Sequence, residues 1–504
     1  MKKGILFCIG VLAISFANGQ DLTDAVRYSK DDIQGTARYR ALSGAFGALG
    51  GDLSAIAINP AGSSVFTESN FTISLTNLNS KKDVLYKNGL NNASNSNLDL
   101  SQVGAAFVFR NRNTNSNWKK FTLGISYNKV DDYNSDWLAY GTNQKSIKDY
   151  FWANANGLRL DEISRFEGES YADAYSAIGS LYGDQNQQAF LGYESFILEP
   201  DTYDDSNTIY TTNIADGDFY QEYSYAATGY NGKFTINAST QYGDNLFLGM
   251  NLNTHFINYE RSTHLYEENN NTGSFVNEVA FRNNLSTIGT GVSLQFGGIL
   301  KIEEQLRVGL SYDTPTWYTI EEETSQAIKT RSYDDATYNT DINPRVINIY
   351  PQYKLQTPGK FTGSIAYVFG LRGLISFDYS LKDYGNTKFK PTSSSYYSYL
   401  NNRASDELAA AATYKIGGEY RIKQLSLRGG YRMEESPYKD GETVGDLNGY
   451  SLGLGYNFGN LKLDLTFDQF ERKTNYQLYQ VGLTDAANLD NKSSNVTLSV
   501  TFNM

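Results

Sequence analysis

The 504-residue chain holds two histidines, His255 and His264, and one cysteine, Cys8. Those are the side chains that most often serve as base, thiolate nucleophile or soft metal ligand. Cys8 sits in an apolar N-terminal stretch, so the rest of the chain has no disulfide, thiol chemistry or cysteine-bound metal. A serine hydrolase needs a histidine beside its serine and a third group to orient the ring. His255 falls on the polar phase of an alternating stretch, beside Asn251 and Asn253, and His264 is expected in the following loop. Either histidine could ligate haem, but a single histidine does not establish such a site. The acidic runs Glu267-Glu268 and Glu321-Glu322-Glu323 are expected as solvated loop faces. No catalytic residue, metal ligand or cofactor is therefore assigned. Lys and Arg number 43 against 55 Asp and Glu, a formal charge of −12. That balance argues against nucleic acid as a partner, because phosphate binding needs a basic face.

The elements that carry these residues have period two. Leu461, Leu463, Leu465 and Phe467 alternate with Lys462, Asp464, Thr466 and Asp468. Val496, Leu498, Val500, Phe502 and Met504 alternate with Thr497, Ser499, Thr501 and Asn503, and Phe121, Leu123, Ile125 and Tyr127 behave alike. A helix would space apolar residues three and four apart, so these are strands with one apolar face. Fourteen such segments are expected, near 70–79, 99–110, 118–130, 232–242, 245–262, 279–296, 304–317, 347–369, 371–382, 408–421, 424–433, 447–458, 460–470 and 493–503. Pro358 inside one of them marks a break or bulge.

The connections alternate in length. Short ones fall near 111–117, 243–244, 297–303, 370, 422–423 and 459; long ones near 80–98, 131–231, 263–278, 318–346, 383–407, 434–446 and 471–492. A membrane β-barrel sorts its connections this way, with short periplasmic turns and long external loops. After residue 20 no uncharged apolar run is long enough for a spanning helix. Tyr127, Tyr312 and Tyr456 fit an aromatic girdle. The expectation is an all-β transmembrane antiparallel barrel of about fourteen strands over 67–504, multi-pass in a bacterial outer membrane, with both barrel termini periplasmic. Arg307, Asp378, Arg428, Arg432, Lys462, Asp464 and Asp468 lie on polar phases and should point into the lumen, as ion pairs that fix whatever fills it.

Residues 1–19 read as a signal peptide. Lys2 and Lys3 precede an uncharged stretch from Gly4 to Ala17, and Ala17-Asn18-Gly19 places cleavage between Gly19 and Gln20. Residues 20–66 do not alternate and are dense in small residues, among them Gly44, Gly47, Gly50 and Gly51. A barrel this wide is not filled by its own side chains. The segment is the candidate hatch, a plug inside the lumen.

At Asn59-Pro60-Ala61, preceded by the Gly/Ala-rich run from Ala41, the sequence resembles the FadL-type outer-membrane transporters of long-chain fatty acids and other hydrophobic compounds. The stretch from Thr357-Pro358-Gly359-Lys360-Phe361 to Asp378-Tyr379 resembles Bacteroidetes members of that family, some labelled hemin receptors. The resemblance implies a fourteen-stranded barrel with an N-terminal hatch that holds the motif. It also implies capture of ligand outside, transfer to a site near the hatch, and release through a shifted hatch or a lateral gap. Independently of it, Pro60 would lock the turn and Asn59 could tie it by a local hydrogen bond.

The 131–231 connection is too long to be structureless. Trp137, Phe151, Trp152, Phe166, Phe190 and Phe196 are its candidate ligand-lid residues, and Ser146–Trp152 and Ser170–Tyr182 can be helical. The function expected is passive transport of hydrophobic small molecules through a hatch-closed barrel. The expected partners are outer-membrane lipid and a hydrophobic small-molecule ligand, without nucleic acid, and the expected state is a monomer. Two alternatives come from other classes: a partner or shuttle subunit of a protein secretion system, and a barrel lipase.

Overall fold

The computed structural model describes residues 21–113, 115–334 and 336–504. Cys8 and the Gly19/Gln20 cleavage site lie outside the described residues. Fourteen antiparallel strands form the wall. They are β1 (Asn70–Tyr86), β2 (Gly89–Arg110), β3 (Trp118–Asp132, continued by Ser135–Asn143), β4 (Phe219–Tyr242), β5 (Leu246–Glu268) and β6 (Val276–Lys301). Next come β7 (Leu306–Asp313, then Trp317–Asp334), β8 (Ala336–Ile342, Asn348–Ile349, Tyr353–Gln356 and Lys360–Val368) and β9 (Gly373–Asp383, then Lys388–Lys390). The last are β10 (Ala410–Ile422), β11 (Leu425–Glu434), β12 (Val444–Asn457), β13 (Leu461–Gln477) and β14 (Ala486–Asn503). β1 pairs with β14 from Asn70↔Asn503 to Leu85↔Asn488, which closes the cylinder and leaves no edge.

The alternation sorts as the sequence predicts. Phe71, Leu75, Leu465, Phe467, Val496, Leu498 and Phe502 are exposed outward, while Thr72, Ser74, Thr466, Thr497 and Ser499 are buried inward. The outward set forms a continuous apolar band, the surface a membrane barrel turns toward hydrocarbon. Near the short-turn rim Trp118 meets Tyr242 edge-on at 4.9 Å, and Tyr456 meets Phe458 at 4.5 Å. These rings, with exposed Tyr312, supply the girdle. The chain's last residue returns to that rim, where Met504 N donates to Ser69 O.

The strands run further outward than hydrophobicity shows. The expected loop 80–98 is strand throughout except for a tight turn at Lys87-Asn88, with register from Tyr86↔Gly89 to Asn77↔Leu98. Much of 263–278, 318–346 and 471–492 is also ladder. A spanning strand needs roughly 9–11 residues, yet β6 has 26. Beyond the bilayer both faces of such a strand meet polar surroundings, so the period-two signal fades while pairing continues. This moves His264 and Glu267-Glu268 from loop onto β5, and Glu321–Glu323 onto β7. Glu267 and Glu322 are buried rather than solvated.

The break expected at Pro358 is present, and β7 breaks opposite it. Thr316 N donates to Thr357 Oγ1 at 3.0 Å, and Thr357 N to Thr316 O at 3.0 Å. Over the long-loop mouth, residues 144–218 fold into a cap. It contains α-helices over Lys148–Ala155, Tyr171–Tyr182 and Asp184–Glu194, in agreement with the two helical stretches read from sequence. A fourth helix at this mouth spans Ser395–Glu407.

Candidate functional site

The N-terminal segment threads the lumen. It starts at the capped end with α1 (Leu22–Ser29), passes α2 (Ala37–Ala41), and ends in 3-10 turns over Ser54–Ala57 and Pro60–Val65 near the short-turn rim. Thr36 caps α2 through Tyr39 N, and that helix sits directly on β13 and β14. Ala37 N donates to Ser499 Oγ at 2.6 Å, and Thr466 Oγ1 donates to Ala37 O.

Charged side chains fix the segment to the wall. Arg40 forms two parallel bonds to Asp468, at 2.8 and 2.9 Å. Arg38 reaches Glu419 at 2.9 Å, and Glu419 also accepts from Arg428, which holds Asp464. Asp378 accepts the backbone N–H groups of Phe46 and Gly47, both at 2.9 Å. Arg307 donates to Leu49 O at 3.0 Å, and Arg432 pairs with Glu434 at 3.2 Å. Of the seven residues expected to form an ion-pair lattice, Arg428, Arg432, Asp464 and Asp468 do so; Asp378 and Arg307 hold hatch backbone instead, and Lys462 makes no ion pair among the described residues.

Asn59-Pro60-Ala61 does more than form a turn. Asn59 Oδ1 accepts from Ala61 N at 3.1 Å, while its amide donates to Gly47 O at 2.7 Å and to Gly298 O of β6 at 3.0 Å. The sequence showed the local bond only. The wall then supplies amides to the carbonyls of this stretch. Asn237 donates to Pro60 O, Asn251 to Ile56 O, and Gln295 to Ala57 O and Ile58 O, all at 2.8–3.1 Å. A plug of irregular backbone is admissible at membrane depth only where its polar groups are met in this way. Close approach requires glycine on the wall. A Cβ at Gly249 would lie 2.4 Å from Pro60 C, and one at Gly309 2.2 Å from Gly47 O. Within the hatch, Gly44, Gly50 and Gly51 take positive φ of 76°, 61° and 68°. Gly47 lies against Asp378 and Ser364.

Between the N-terminal segment and the wall lies a polar chamber. Asp31 sits between the ammonium groups of Lys360 at 3.0 Å and Lys382 at 2.8 Å, and Lys233, Asp313, Tyr39 and His255 help line the space. His255 Nε2 is 2.9 Å from Ser293 Oγ, so the expected lumen-facing histidine does stand beside a serine. Its Nδ1 is buried without a partner, which leaves out the orienting group of a hydrolytic triad. His264 is on the outward phase of β5. Among the described residues no group of three His, Cys, Asp or Glu side chains is placed to hold a metal ion.

Beneath the cap is an apolar bed. Trp137 belongs to the continuation of β3 rather than to the cap. It stacks on Tyr225 at 5.0 Å and meets Tyr476 edge-on at 5.2 Å. Phe151 packs on Phe281 at 5.2 Å, and Phe190 on Tyr175 at 6.1 Å. Trp152, Phe166 and Phe196 instead face outward from the cap, between 41% and 59% exposed. Helix α1 buries Leu22, Ala25, Val26 and Tyr28 in this bed, and its Arg27 guanidinium lies 4.4 Å from the centroid of Tyr259. At the outer end of β5, beyond the apolar band, buried Glu267 anchors the cap. It accepts from Ser146 Oγ, from Ile147 N at 2.9 Å and from Gln221 Nε2 at 2.7 Å. Burial pushes this carboxyl up to about 7.

The chain as a whole is similar to solved structures along nearly their whole length. A FadL homologue from Pseudomonas aeruginosa superposes with a TM-score of 0.56 over 94% of this chain and 99% of that one, at 12% identity. The toluene transporter TodX of Pseudomonas putida gives 0.50 over 94% and 100%, at 13% identity. The monoaromatic hydrocarbon channel CymD gives 0.50 over 94% and 99%, at 10% identity. The fold is that of the FadL-type barrels. No family model and no characterised relative matches the sequence itself.

The FadL-type fold makes sense of the small-residue run and the Asn-Pro-Ala turn, both legible in sequence. Asp31, Lys233 and Lys382 do not stand out in the sequence, and Lys360 does so only as part of the Thr357-Pro358-Gly359-Lys360-Phe361 stretch. Phase alone could have placed Lys360 and Lys382 inward, since Phe361 and Leu381 beside them face out. Asp31 gave no signal, because it lies on an irregular stretch between two short helices.

Proposed function

We propose that this protein passes hydrophobic small molecules inward across the outer membrane by passive diffusion, with its short-turn rim and both ends of the wall in the periplasm. The observation that carries the reading is that three stations share one lumen: the aromatic bed under the cap, the Lys360–Asp31–Lys382 chamber, and a hatch seated against the wall by hydrogen bonds and ion pairs. Ligand sites are mainly apolar with a few placed polar groups, and the bed and chamber together have that composition. Helix α1 fills the bed, so a ligand entering there has to displace it. The exit is taken to be past a shifted hatch, because the paired breaks of β7 and β8 remain stitched by Thr316 and Thr357.

Tryptophan quenching tests the first step. The chain has four tryptophans, and Trp137 alone stands in the bed. Titration of oleate or toluene into the purified barrel should shift its emission saturably, and Trp137→Phe should remove most of the change. A change that survives in Trp137→Phe would place binding elsewhere.

A further inference from the structure

The chain is acidic overall, yet the inner face of its short-turn mouth holds a group of cations on one side that form no salt bridge. Lys120 of β3, Lys301 at the end of β6 and Arg307 at the start of β7 all fall on the inward phase. Lys301 and Arg307 are direct cross-strand partners. Like charges placed opposite one another on one face of a sheet repel. Lys120 lies within Coulomb range of Lys301 and of Arg110. Among the described residues none of the three forms an ion pair with a carboxylate. Asp244 on the adjacent turn lies within Coulomb range of Lys301 but forms no salt bridge with it, and Glu303 and Glu304 form none with any of the three. The opposite arc of the same mouth is different: there Arg38, Arg421 and Arg428 converge on Glu419, and Arg428 also holds Asp464.

The bonds these cations do make are partial. Lys120 Nζ donates to Phe66 O at 2.6 Å, and Arg307 Nη1 to Leu49 O at 3.0 Å, both on the hatch backbone. Lys301 lies 4.9 Å from the centroid of the buried Phe247 ring. Arg307 Nε is buried and has no hydrogen-bond partner. A guanidinium with an unused donor, beside an ammonium with only a ring beneath it, matches the two-point geometry by which proteins hold a carboxylate or phosphate oxyanion.

We propose that Lys120, Lys301 and Arg307 form an anion-binding site at the inner mouth of the lumen, which takes the carboxylate or phosphate head of an amphiphile. The site deepens the transport reading by giving a departing ligand a station beneath the hatch; its ability to bind an anion does not depend on that reading. Because Lys120 and Arg307 also hold hatch carbonyls, an anion bound there competes for the groups that keep the hatch seated.

Lysine acetylation of the full-length protein, read by mass spectrometry, tests the site without any transport measurement. Decanoate, or inorganic phosphate as a headgroup probe, should slow acetylation of Lys120 and Lys301 at least threefold, and leave exposed Lys423 on the β10–β11 turn unaffected. Arg307→Gln should raise the concentration for half-protection at least fivefold; Lys301→Gln, judged by protection of Lys120, serves if Arg307→Gln fails to insert. Repeating the measurement in phosphatidylcholine vesicles with and without phosphatidylglycerol separates the sources. Protection by lipid alone identifies a bilayer headgroup, and protection by added decanoate identifies a free ligand. Equal acetylation of Lys120, Lys301 and Lys423 under every condition overturns the site. Loss of the Trp137 response with protection intact would sink the transport reading alone.

Discussion

Arg40 of the hatch grips Asp468 of the wall through two hydrogen bonds of 2.8 and 2.9 Å, with only 2% of the arginine side chain exposed. The two residues are far apart in sequence, so the pair joins plug to cylinder. The planar guanidinium also reaches Gln34 at 2.9 Å, which fixes its remaining edge. Removing one partner of a buried pair costs about 3–5 kcal/mol, because the other charge is left unmatched. Here that cost falls on the seating of the hatch, since no strand pairing depends on Arg40.

Arg40→Met should therefore give a barrel that inserts and resists heat-modifiable gel shift like wild type, yet shows frequent brief openings in planar-bilayer recordings. Asp468→Asn should open less often, because one hydrogen bond to the guanidinium survives. A quiet Arg40→Met channel would mean that the pair does not hold the hatch.

The wall has an independent test. Leu465 is 46% exposed on the apolar band, and Asp464 beside it points inward to Arg428. Leu465→Arg puts a charge against hydrocarbon at a cost of about 2–4 kcal/mol near the midplane. Asp464→Asn keeps a polar side chain in the lumen, and Arg428 retains Glu419. Folding yield into vesicles should drop for the first and hold for the second. Equal yields would reject the assignment of faces.

The cap should respond to pH through Glu267. Its pKa in the folded protein, about 7, lies above the ordinary glutamate value because burial disfavours the charge. A raised acid binds its proton more tightly when folded, so its contribution to stability is full below about pH 4 and is lost as pH rises through 7. Hydrogen exchange over residues 146–155 should quicken between pH 5 and pH 8 beyond the intrinsic rate increase. Glu267→Gln should flatten that excess. An unchanged pH profile in the variant would assign it to another group.

Alternation made the wall legible because, across the bilayer, each strand has lipid on one side and the hatch or lumen on the other. Leu461–Phe467 and Val496–Phe502 gave both location and orientation for this reason. The same rule lost the outer thirds of the strands. Asn91–Asn97 of β2 is polar at nearly every position, and only its pairing with β1 makes it strand. The hatch was legible as a segment through its glycines and Asn59-Pro60-Ala61, while its partners on the wall were legible as a polar phase without assigned contacts. The lid residues divided by a three-dimensional fact that composition does not carry. Phe151 and Phe190 face the barrel, whereas Trp152, Phe166 and Phe196 lie on the far side of the same helices and loops.

In the transport proposed for this barrel, the hatch has to move for a ligand to pass. Ser43 of the hatch and Ser451 of β12 have hydroxyl oxygens 2.8 Å apart, and the only native cysteine is Cys8. Cysteines introduced at both positions should form a disulfide that pins the hatch at mid-lumen. The measurement is uptake of labelled oleate by cells carrying Ser43→Cys/Ser451→Cys, oxidised and then reduced. Uptake should fall at least tenfold when the bond is closed and return when it is opened, with either single variant unaffected. Undiminished uptake by the fully oxidised protein would contradict the claim and route the ligand out through the wall above the hatch.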